Sequence, residues 1–206
     1  MNAPAPRSTH LLYLHGFRSS PRSAKAQRMA QWVGEHRPDL TWLAPQLPPS
    51  PREAIALIRE QIQAWPRDTL AVMGSSLGGF YATWVQQHTG CRAVLLNPAV
   101  DPARDLARYI GEHSCWQDPR ERFFFRPEFV DELRAIAKDM AQDLPPCAIA
   151  RPQQLMAVIA KGDEVLDWHE MHARYAGSRI KLLEGSDHGL SDFDDYLSEL
   201  TEFLQL

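Results

Sequence analysis

The pentapeptide Gly74-Ser75-Ser76-Leu77-Gly78 lies between an apolar run and a helix-like segment, and this placement constrains the fold more than any other feature. Residues 70–73 read Leu-Ala-Val-Met, which is typical of a buried strand, and residues 80–87 are typical of a helix. The GxSxG pattern alone occurs by chance in about one chain of this length in fifteen. Between a strand and a helix, however, it predicts a sharp turn that exposes the central serine. Ser76, unlike Ser75, has glycine both two residues before and two residues after it.

Apolar runs of strand length alternate with amphipathic segments along most of the chain. Strands are predicted at residues 10–14, 40–43, 69–73, 93–96, 155–160 and 180–183. Helices are predicted between residues 21 and 37, at 54–64 and at 80–87. A last helix is predicted from the apolar stripe between Phe193 and Leu204, with Ser191 as its N-cap. This alternation predicts an α/β fold whose central sheet is mainly parallel and covered by helices on both faces.

The chain has 206 residues, 44% of them hydrophobic, which is enough for one well-buried core and short for two. Residues 1–206 are therefore predicted to form a single domain. Residues 101–151 break the alternation, since they are rich in Arg, Asp and Pro and contain three consecutive phenylalanines. We expect a small helical excursion here. It would either cap an active site at the strand ends or only cover the sheet.

Charge and hydropathy argue against several classes of protein. With 22 basic and 26 acidic residues the net charge is −4, so no nucleic-acid partner is expected. No run approaches ~18 apolar residues, and residues 1–10 lack the apolar stretch of a signal peptide. We therefore expect a cytoplasmic protein without a membrane partner. The three cysteines are widely spaced and are expected to be reduced structural thiols, namely Cys91, Cys115 and Cys147.

A serine hydroxyl attacks only when a base removes its proton, so a nucleophilic Ser76 requires a histidine and an acid that orients it. In α/β folds with this serine turn the chain order is Ser, then Asp or Glu, then His. Asp163 follows the predicted strand 155–160, and His188 follows the predicted strand 180–183. We therefore predict Asp163 and His188 as the catalytic partners of Ser76. Two other carboxylates nearby are alternatives for the acid, namely Glu164 and Asp167.

The same chemistry needs two backbone N–H groups that bind the oxyanion formed during the reaction. Leu77, directly after the nucleophile, is predicted to supply one of them. Phe17 is predicted to supply the other, because it lies in the turn after the first strand and Gly16 lets the backbone there approach the substrate oxygen. Losing one such donor typically costs ~10²–10³ in turnover. His15 is expected to be structural.

Two further groups of residues carry less specific signals. His169 and His172 lie three apart on a predicted helix, as metal ligands can, but no third ligand or HExxH pattern accompanies them. No metal or organic cofactor is therefore expected. A basic cluster follows the predicted oxyanion turn and would either receive an anionic end of the substrate or form an ordinary solvated surface; it consists of Arg18, Arg22 and Lys25.

These residues together resemble the small bacterial esterases of the YqiA type, a branch of the α/β-hydrolase superfamily, over nearly the whole chain. The resemblance rests on motifs that include Tyr13-Leu14-His15-Gly16-Phe17, Pro45-Gln46-Leu47-Pro48-Pro49, Gly74-Ser75-Ser76-Leu77-Gly78-Gly79, Asn97-Pro98-Ala99-Val100, Gly162-Asp163-Glu164-Val165-Leu166-Asp167 and the Asp187-His188 loop. It implies an α/β-hydrolase fold and an esterase for short-chain acyl esters or acyl-CoA thioesters, with Ser76, Asp163 and His188 as the triad. Residues 101–151 match the family least, so substrate preference stays open.

Two other functions are compatible with the sequence. The fold could serve as a binding module whose triad turns over nothing, or the triad could hydrolyse carbon–carbon bonds or act as a lyase. An intact Ser, Asp and His set favours hydrolysis of a small-molecule acyl ester or thioester. The acyl chain length, the leaving group and the oligomeric state do not follow from the residues.

Overall fold

A computed structural model describes residues 6–142 and 149–206. The strands in these ranges are β1 (His10–Leu14), β2 (Thr41–Leu43), β3 (Leu70–Ser75), β4 (Arg92–Leu96), β5 (Gly111–Ser114), β6 (Arg122–Phe125), β7 (Leu155–Ala160) and β8 (Arg179–Leu183). The α-helices are α1 (Ala24–His36), α2 (Pro51–Ile62), α3 (Leu77–Thr89), α4 (Pro102–Leu106), α5 (Pro127–Ala141), α6 (Trp168–Arg174) and α7 (Leu197–Phe203).

Six of the strands form a parallel sheet in the order β2-β1-β3-β4-β7-β8. The predicted α/β class with a mainly parallel sheet is confirmed. After β2 the chain crosses back over β1 and forms β3 on its other side, so the strand order reverses between β1 and β3. In open α/β sheets, ligands bind beyond the carboxyl ends of the strands at such a reversal. The loops after β1 and β3 therefore lie where a site is expected.

Alternate residues of the strands face two separate cores. Leu12 and Val72 belong to the core that α2, α3, α5 and α6 cover. Leu11 and Met73 belong to the core on the opposite face, which α1 and α7 cover. Burial on both faces explains why the inner strands are continuous apolar runs rather than alternating ones. The prediction of helices on both faces is confirmed.

The excursion, residues 101–151, contains the expected helices and also a hairpin that no local pattern predicted. The helices α4 and α5 flank β5 and β6, which pair antiparallel with each other. β5 reads Gly-Glu-His-Ser and has no apolar alternation, so strand periodicity could not identify it. The hairpin packs through one face of β6: Phe125 is buried, whereas Phe124 on the other face is 54% exposed.

The C-terminal helical segment differs from its prediction where it begins. Residues 193–196 form a 3₁₀ turn ahead of α7, and neither element begins at Ser191. The Ser191 N–H instead donates to the carboxylate of Asp187 at 3.0 Å. The predicted Ser191 N-cap is therefore wrong, because Ser191 binds Asp187 within the loop after β8 and does not begin the helical segment.

Cys91 and Cys115 are buried free thiols, as expected. Cys147 lies outside the described residues. In the part of the chain that the structure describes, no helix combines the length and the apolarity that crossing a membrane requires.

Candidate active site

Residues 74–78, here called the elbow, join β3 to α3 in a sharp turn. Ser76 at the apex has φ 56° and ψ −120°, a conformation that non-glycine residues rarely adopt. Close backbone contacts require the flanking glycines. A Cβ on Gly74 would lie 2.1 Å from the oxygen of Gly78, and a Cβ on Gly78 would lie 2.0 Å from the oxygen of Leu14. The structure thus has the predicted strand, turn and helix, with Ser76 in a strained and half-buried position.

The structure brings three of the predicted residues into one hydrogen-bonded line. His188 Nε2 lies 3.1 Å from Ser76 Oγ, and His188 Nδ1 lies 2.7 Å from Asp163 Oδ2. The Asp163 side chain is 0% exposed, and its other oxygen accepts the N–H groups of Val165 and Leu166, each at 2.8 Å. These two bonds fix the carboxylate so that Oδ2 faces the imidazole. A proton on Nδ1 then donates to Asp163 and leaves Nε2 free to accept the serine proton.

The alternative acids have other partners. Glu164 accepts a hydrogen bond from the backbone N–H of His188 at 3.0 Å, so it contacts the loop rather than the imidazole. Asp167 caps α6, where it accepts the N–H of His169 at 2.8 Å. The ring of His169 is also bound to Asp167. Among the described residues, no group of three or more His, Cys, Asp or Glu side chains could hold a metal ion, either at His169 and His172 or elsewhere.

Asn97, directly after β4, holds the loop that carries His188. Its side chain is buried, and its amide donates to the carbonyl oxygens of Asp187 and His188 at 3.0 and 3.3 Å. Its Oδ1 accepts the N–H of Ala160, at the end of β7, at 2.8 Å. In the sequence, Asn97 stands out only as part of a motif of the family resemblance. The sequence signal that could have identified Asn97 is a polar residue directly after a predicted buried strand and directly before a proline.

The turn formed by residues 16–19, here called the Phe17 turn, follows β1 and lies against the elbow. A Cβ on Gly16 would lie 3.1 Å from the Cβ of Ser76, which shows how closely the two backbones approach. The N–H groups of Phe17 and Leu77 donate to no other described residue. Leu77 is the first residue of α3, where helix geometry leaves the N–H unpaired. Both residues line the same cavity as Ser76.

His15 supports the Phe17 turn from below. It is 5% exposed, and its Nε2 accepts the backbone N–H of Leu47 at 3.0 Å. Nδ1 must then carry the proton that is donated to the carbonyl oxygen of Gly16 at 2.9 Å. Burial lowers the pKa of His15, and the bond to Gly16 only partly offsets this effect. His15 is thus a neutral structural residue, as the sequence suggested.

The ring of Phe17 is enclosed by aromatic side chains of the excursion. Four rings surround it with centroids 5.2 to 5.8 Å away, namely those of Tyr109, His113, Phe123 and Phe125. The next residue, Arg18, donates from Nε to the Ser114 carbonyl at 3.0 Å, and its own carbonyl accepts the Trp116 N–H at 2.7 Å. The excursion therefore packs directly on the turn that carries one predicted oxyanion donor.

A cavity of about 480 Å³ opens beside Ser76 and His188. Apolar side chains such as Leu106 and Leu166 form part of its wall, and three basic residues line it as well: Arg18, Lys25 and Arg108. Lys25 donates from Nζ to the carbonyl of Gly189, next to His188. Burial lowers the pKa of Lys25 to about 8, and the charges of Asp187 and Asp163 oppose that shift.

The model of the Uncharacterised protein family (UPF0227) matches residues 10–205. The chain belongs to this family. The match extends over β1 to α7 and confirms the resemblance drawn from the sequence motifs.

Solved structures share the architecture at low sequence identity. A protein from Agrobacterium vitis S4 is 17% identical with a TM-score of 0.73, and the alignment covers 98% of this chain and 91% of that one. A monoacylglycerol lipase from Paleococcus ferrophilus is 15% identical with a TM-score of 0.65, covering 95% and 93%. The esterase domain of a Rhodothermus marinus protein is 18% identical with a TM-score of 0.65, covering 96% and 86%. The chain has the α/β-hydrolase fold.

Proposed function

We propose that the chain is a serine esterase, which hydrolyses carboxylic esters of small molecules through an acyl-enzyme intermediate. One observation carries the proposal: Ser76 Oγ, the His188 imidazole and the buried Asp163 carboxylate form a line with distances of 3.1 and 2.7 Å. A nucleophile, a base and an acid that orients the base need this geometry. The proposal is supported by the fold, which the lipase and the esterase domain share.

The proposed reaction has two halves. First, His188 Nε2 takes the Ser76 proton while Oγ attacks the ester carbonyl carbon, and the protonated imidazole then gives that proton to the leaving alcohol. This leaves the acyl group on Ser76. Second, His188 takes a proton from water, the water oxygen attacks the acyl carbon, and the proton returns to Ser76 as the acid leaves. Asp163 holds the imidazole in place and stabilises its charged form in both halves.

The negative oxygen of each tetrahedral intermediate is assigned to the N–H groups of Phe17 and Leu77. Both N–H groups lack another described acceptor and both residues line the cavity, so a substrate oxygen can take the free position. Thioesters fit the same steps with a thiol as the leaving group. The apolar part of the cavity wall suits a short acyl chain.

A fluorophosphonate probe tests the assignment of the nucleophile. We expect one labelled serine, located to Ser76 by peptide mass analysis, and a loss of about 10⁴-fold or more in kcat for 4-nitrophenyl butyrate in Ser76→Ala. Ser75→Ala is the matched control, because Ser75 ends β3 next to Ser76 but does not contact His188. It should keep both labelling and turnover.

The outcomes separate the competing functions. Full ester turnover in a folded Ser76→Ala protein would refute the esterase assignment. Absence of labelling in the wild type would favour a binding module that uses the fold without catalysis. Labelling together with cleavage of diketones but not of esters or thioesters would indicate carbon–carbon bond hydrolysis by the same three residues.

A further inference from the structure

Basic side chains around the cavity fall into two groups. Four arginines of the loops, α4 and the hairpin do not line the cavity and have carboxylate partners within 3.2 Å, in the pairs Arg22–Glu121, Arg104–Glu170, Arg120–Asp118 and Arg122–Glu112. The three basic residues that line the cavity form no ion pair with a described residue; they are Arg18, Lys25 and Arg108. The basic residues that line the cavity therefore lack the ion-pair partners that these four arginines have.

Arg18 is fixed both at its backbone and at its side chain. Its φ is 58°, a left-handed conformation that is unfavourable for arginine and that bonds to the hairpin maintain. The carbon of its guanidinium group lies 3.8 Å from the centre of the Trp116 ring, and Nε donates to Ser114. These contacts fix the plane of the guanidinium group. Its two Nη atoms donate to no described residue, so both remain free to bind two oxygens of one anionic group.

The carboxylates in and beside the cavity are occupied elsewhere. Asp105 lines the cavity but pairs with Arg104 at 2.8 Å. Asp163 faces His188, as described above. Asp187 accepts the N–H of Ser191, and its charge acts on Lys25. No described carboxylate therefore satisfies the Nη atoms of Arg18.

We propose that Arg18 binds an anionic group of the substrate, a carboxylate or a phosphate, while Ser76 attacks the ester carbonyl. Arg108 at the exposed rim and Lys25 beside His188 add to the positive field of the cavity. This inference rests on the proposed function and narrows its substrate class. Arg18, Phe17 and Ser76 line one cavity, so the anionic group and the ester carbonyl would occupy the same cavity. The expected substrate is a compact ester or thioester of an acidic small molecule.

Matched esters with the same reaction centre test the proposal. The neutral substrate is 2-nitrophenyl butyrate, and its anionic counterpart is the butyrate ester of 3-hydroxy-4-nitrobenzoate, which adds one carboxylate to the leaving group. The same ester with a phosphate in place of that carboxylate distinguishes the two anions. Mono-2-nitrophenyl glutarate moves the carboxylate to the acyl chain. For wild type we expect kcat/KM to be about tenfold or more higher for at least one anionic ester than for the neutral one.

Substitutions at Arg18 should remove this preference selectively. Arg18→Gln also loses the Nε bond to Ser114 that supports the Phe17 turn, so some loss of kcat is expected for every ester. The ratio of kcat/KM for the preferred anionic ester to kcat/KM for the neutral ester should nevertheless fall by about 10- to 100-fold, through a selective rise in KM for the anionic ester. Arg18→Lys keeps the positive charge but loses the two parallel Nη donors. It should therefore show a preference for the anionic ester between those of wild type and Arg18→Gln. Arg22→Gln is the matched control, because Arg22 is paired with Glu121 and does not line the cavity. It should behave like wild type.

Two results would overturn the proposal. One is equal kcat/KM of wild type for all four esters, and the other is an equal loss for neutral and anionic esters in Arg18→Gln, which would make Arg18 a support of the Phe17 turn only. Calorimetric titration of 3-hydroxy-4-nitrobenzoate and of its phosphate analogue into Ser76→Ala, with and without Arg18→Gln, measures the anion site without catalysis. Binding of either compound that Arg18→Gln weakens at least tenfold would keep the anion site even if esterase activity were absent. Undetectable binding of both compounds would refute the anion site.

Discussion

The elbow and the Phe17 turn each carry one of the two backbone N–H groups that we assign to the oxyanion, but different parts of the chain hold the two turns. The elbow is held by its neighbours: Gly74 packs on Gly78, and Gly78 packs on Leu14 of the adjacent strand. The Phe17 turn is held by a hairpin about 100 residues further along the chain, through the rings around Phe17 and the bonds of Arg18. The elbow is therefore held by close backbone packing inside the central sheet, whereas the Phe17 turn depends on side chains of the excursion.

This difference separates two kinds of sensitivity. A substitution in the elbow disturbs the junction of β1, β3 and α3, which belongs to the core that α2, α3, α5 and α6 cover. It should therefore lower the free energy of unfolding. Phe123 of the hairpin is only partly buried against the edge of the same core, so its loss should reduce turnover more than stability.

Gly78→Ala should have the largest effect on folding. Its Cβ would lie 2.0 Å from the Leu14 carbonyl oxygen, and a backbone atom cannot move aside as a flexible side chain can. We expect a loss of about 3 kcal/mol in the free energy of unfolding, measured by urea denaturation. Gly34→Ala in α1 is the control, because nothing lies within 4 Å of a Cβ there. It should leave stability unchanged or raise it by roughly 0.5–1 kcal/mol. Equal stability of the two variants would contradict the account of the elbow.

Phe123→Ala should reduce turnover while both cores of the sheet stay packed. It removes one ring from around Phe17 and allows the N–H of Phe17 to drift from the oxyanion position. We expect kcat for 4-nitrophenyl butyrate to fall by about 10- to 100-fold with a small change in KM. Affinity for a boronic acid that mimics the tetrahedral intermediate should fall in parallel.

Phe124→Ala is the matched control, since the neighbouring side chain points to solvent and is 54% exposed. It should keep wild-type kcat. Phe123→Leu retains apolar volume and should recover part of the loss. If Phe123→Ala and Phe124→Ala had the same kcat, the hairpin would be only a cover of the sheet.

His15 should make a smaller and pH-dependent contribution. Its pKa in the folded protein lies below the ordinary 6.5 because burial disfavours the charged ring. As the pH falls below about 6.5, the unfolded chain takes up a proton that the folded protein does not, so the free energy of unfolding decreases. The slope from this one group is at most about 1.4 kcal/mol per pH unit.

Urea midpoints of wild type and His15→Gln between pH 8 and pH 5.5 measure this effect, because other titrating groups cancel in the difference. The stability advantage of wild type should shrink towards low pH. A difference that stays constant over the range would show that His15 does not titrate differently in the folded and unfolded chains.

The sequence could predict the parts of the site that lie at strand ends. Ser76, Asp163 and His188 each follow a recognisable apolar strand, and parallel strands bring their carboxyl ends to one edge of the sheet. The rings around Phe17 could not be predicted in this way. His113 belongs to a strand without apolar alternation, and Phe123 becomes its neighbour only through the antiparallel pairing of β5 and β6. Ser191 failed as an N-cap for a different reason, since its hydroxyl, which would have capped the helix, binds the Asp187 carboxylate instead.

Asn97 links the position of the His188 loop to the pairing of β4 with β7. The same amide holds the end of β7 through Ala160 and the loop of His188 through two carbonyl oxygens. Fraying of the seam between β4 and β7 would therefore release the His188 loop while both helical layers remain packed. Ester cleavage would then decline at urea concentrations below the global unfolding midpoint, and turnover would serve as a reporter of local opening at this seam.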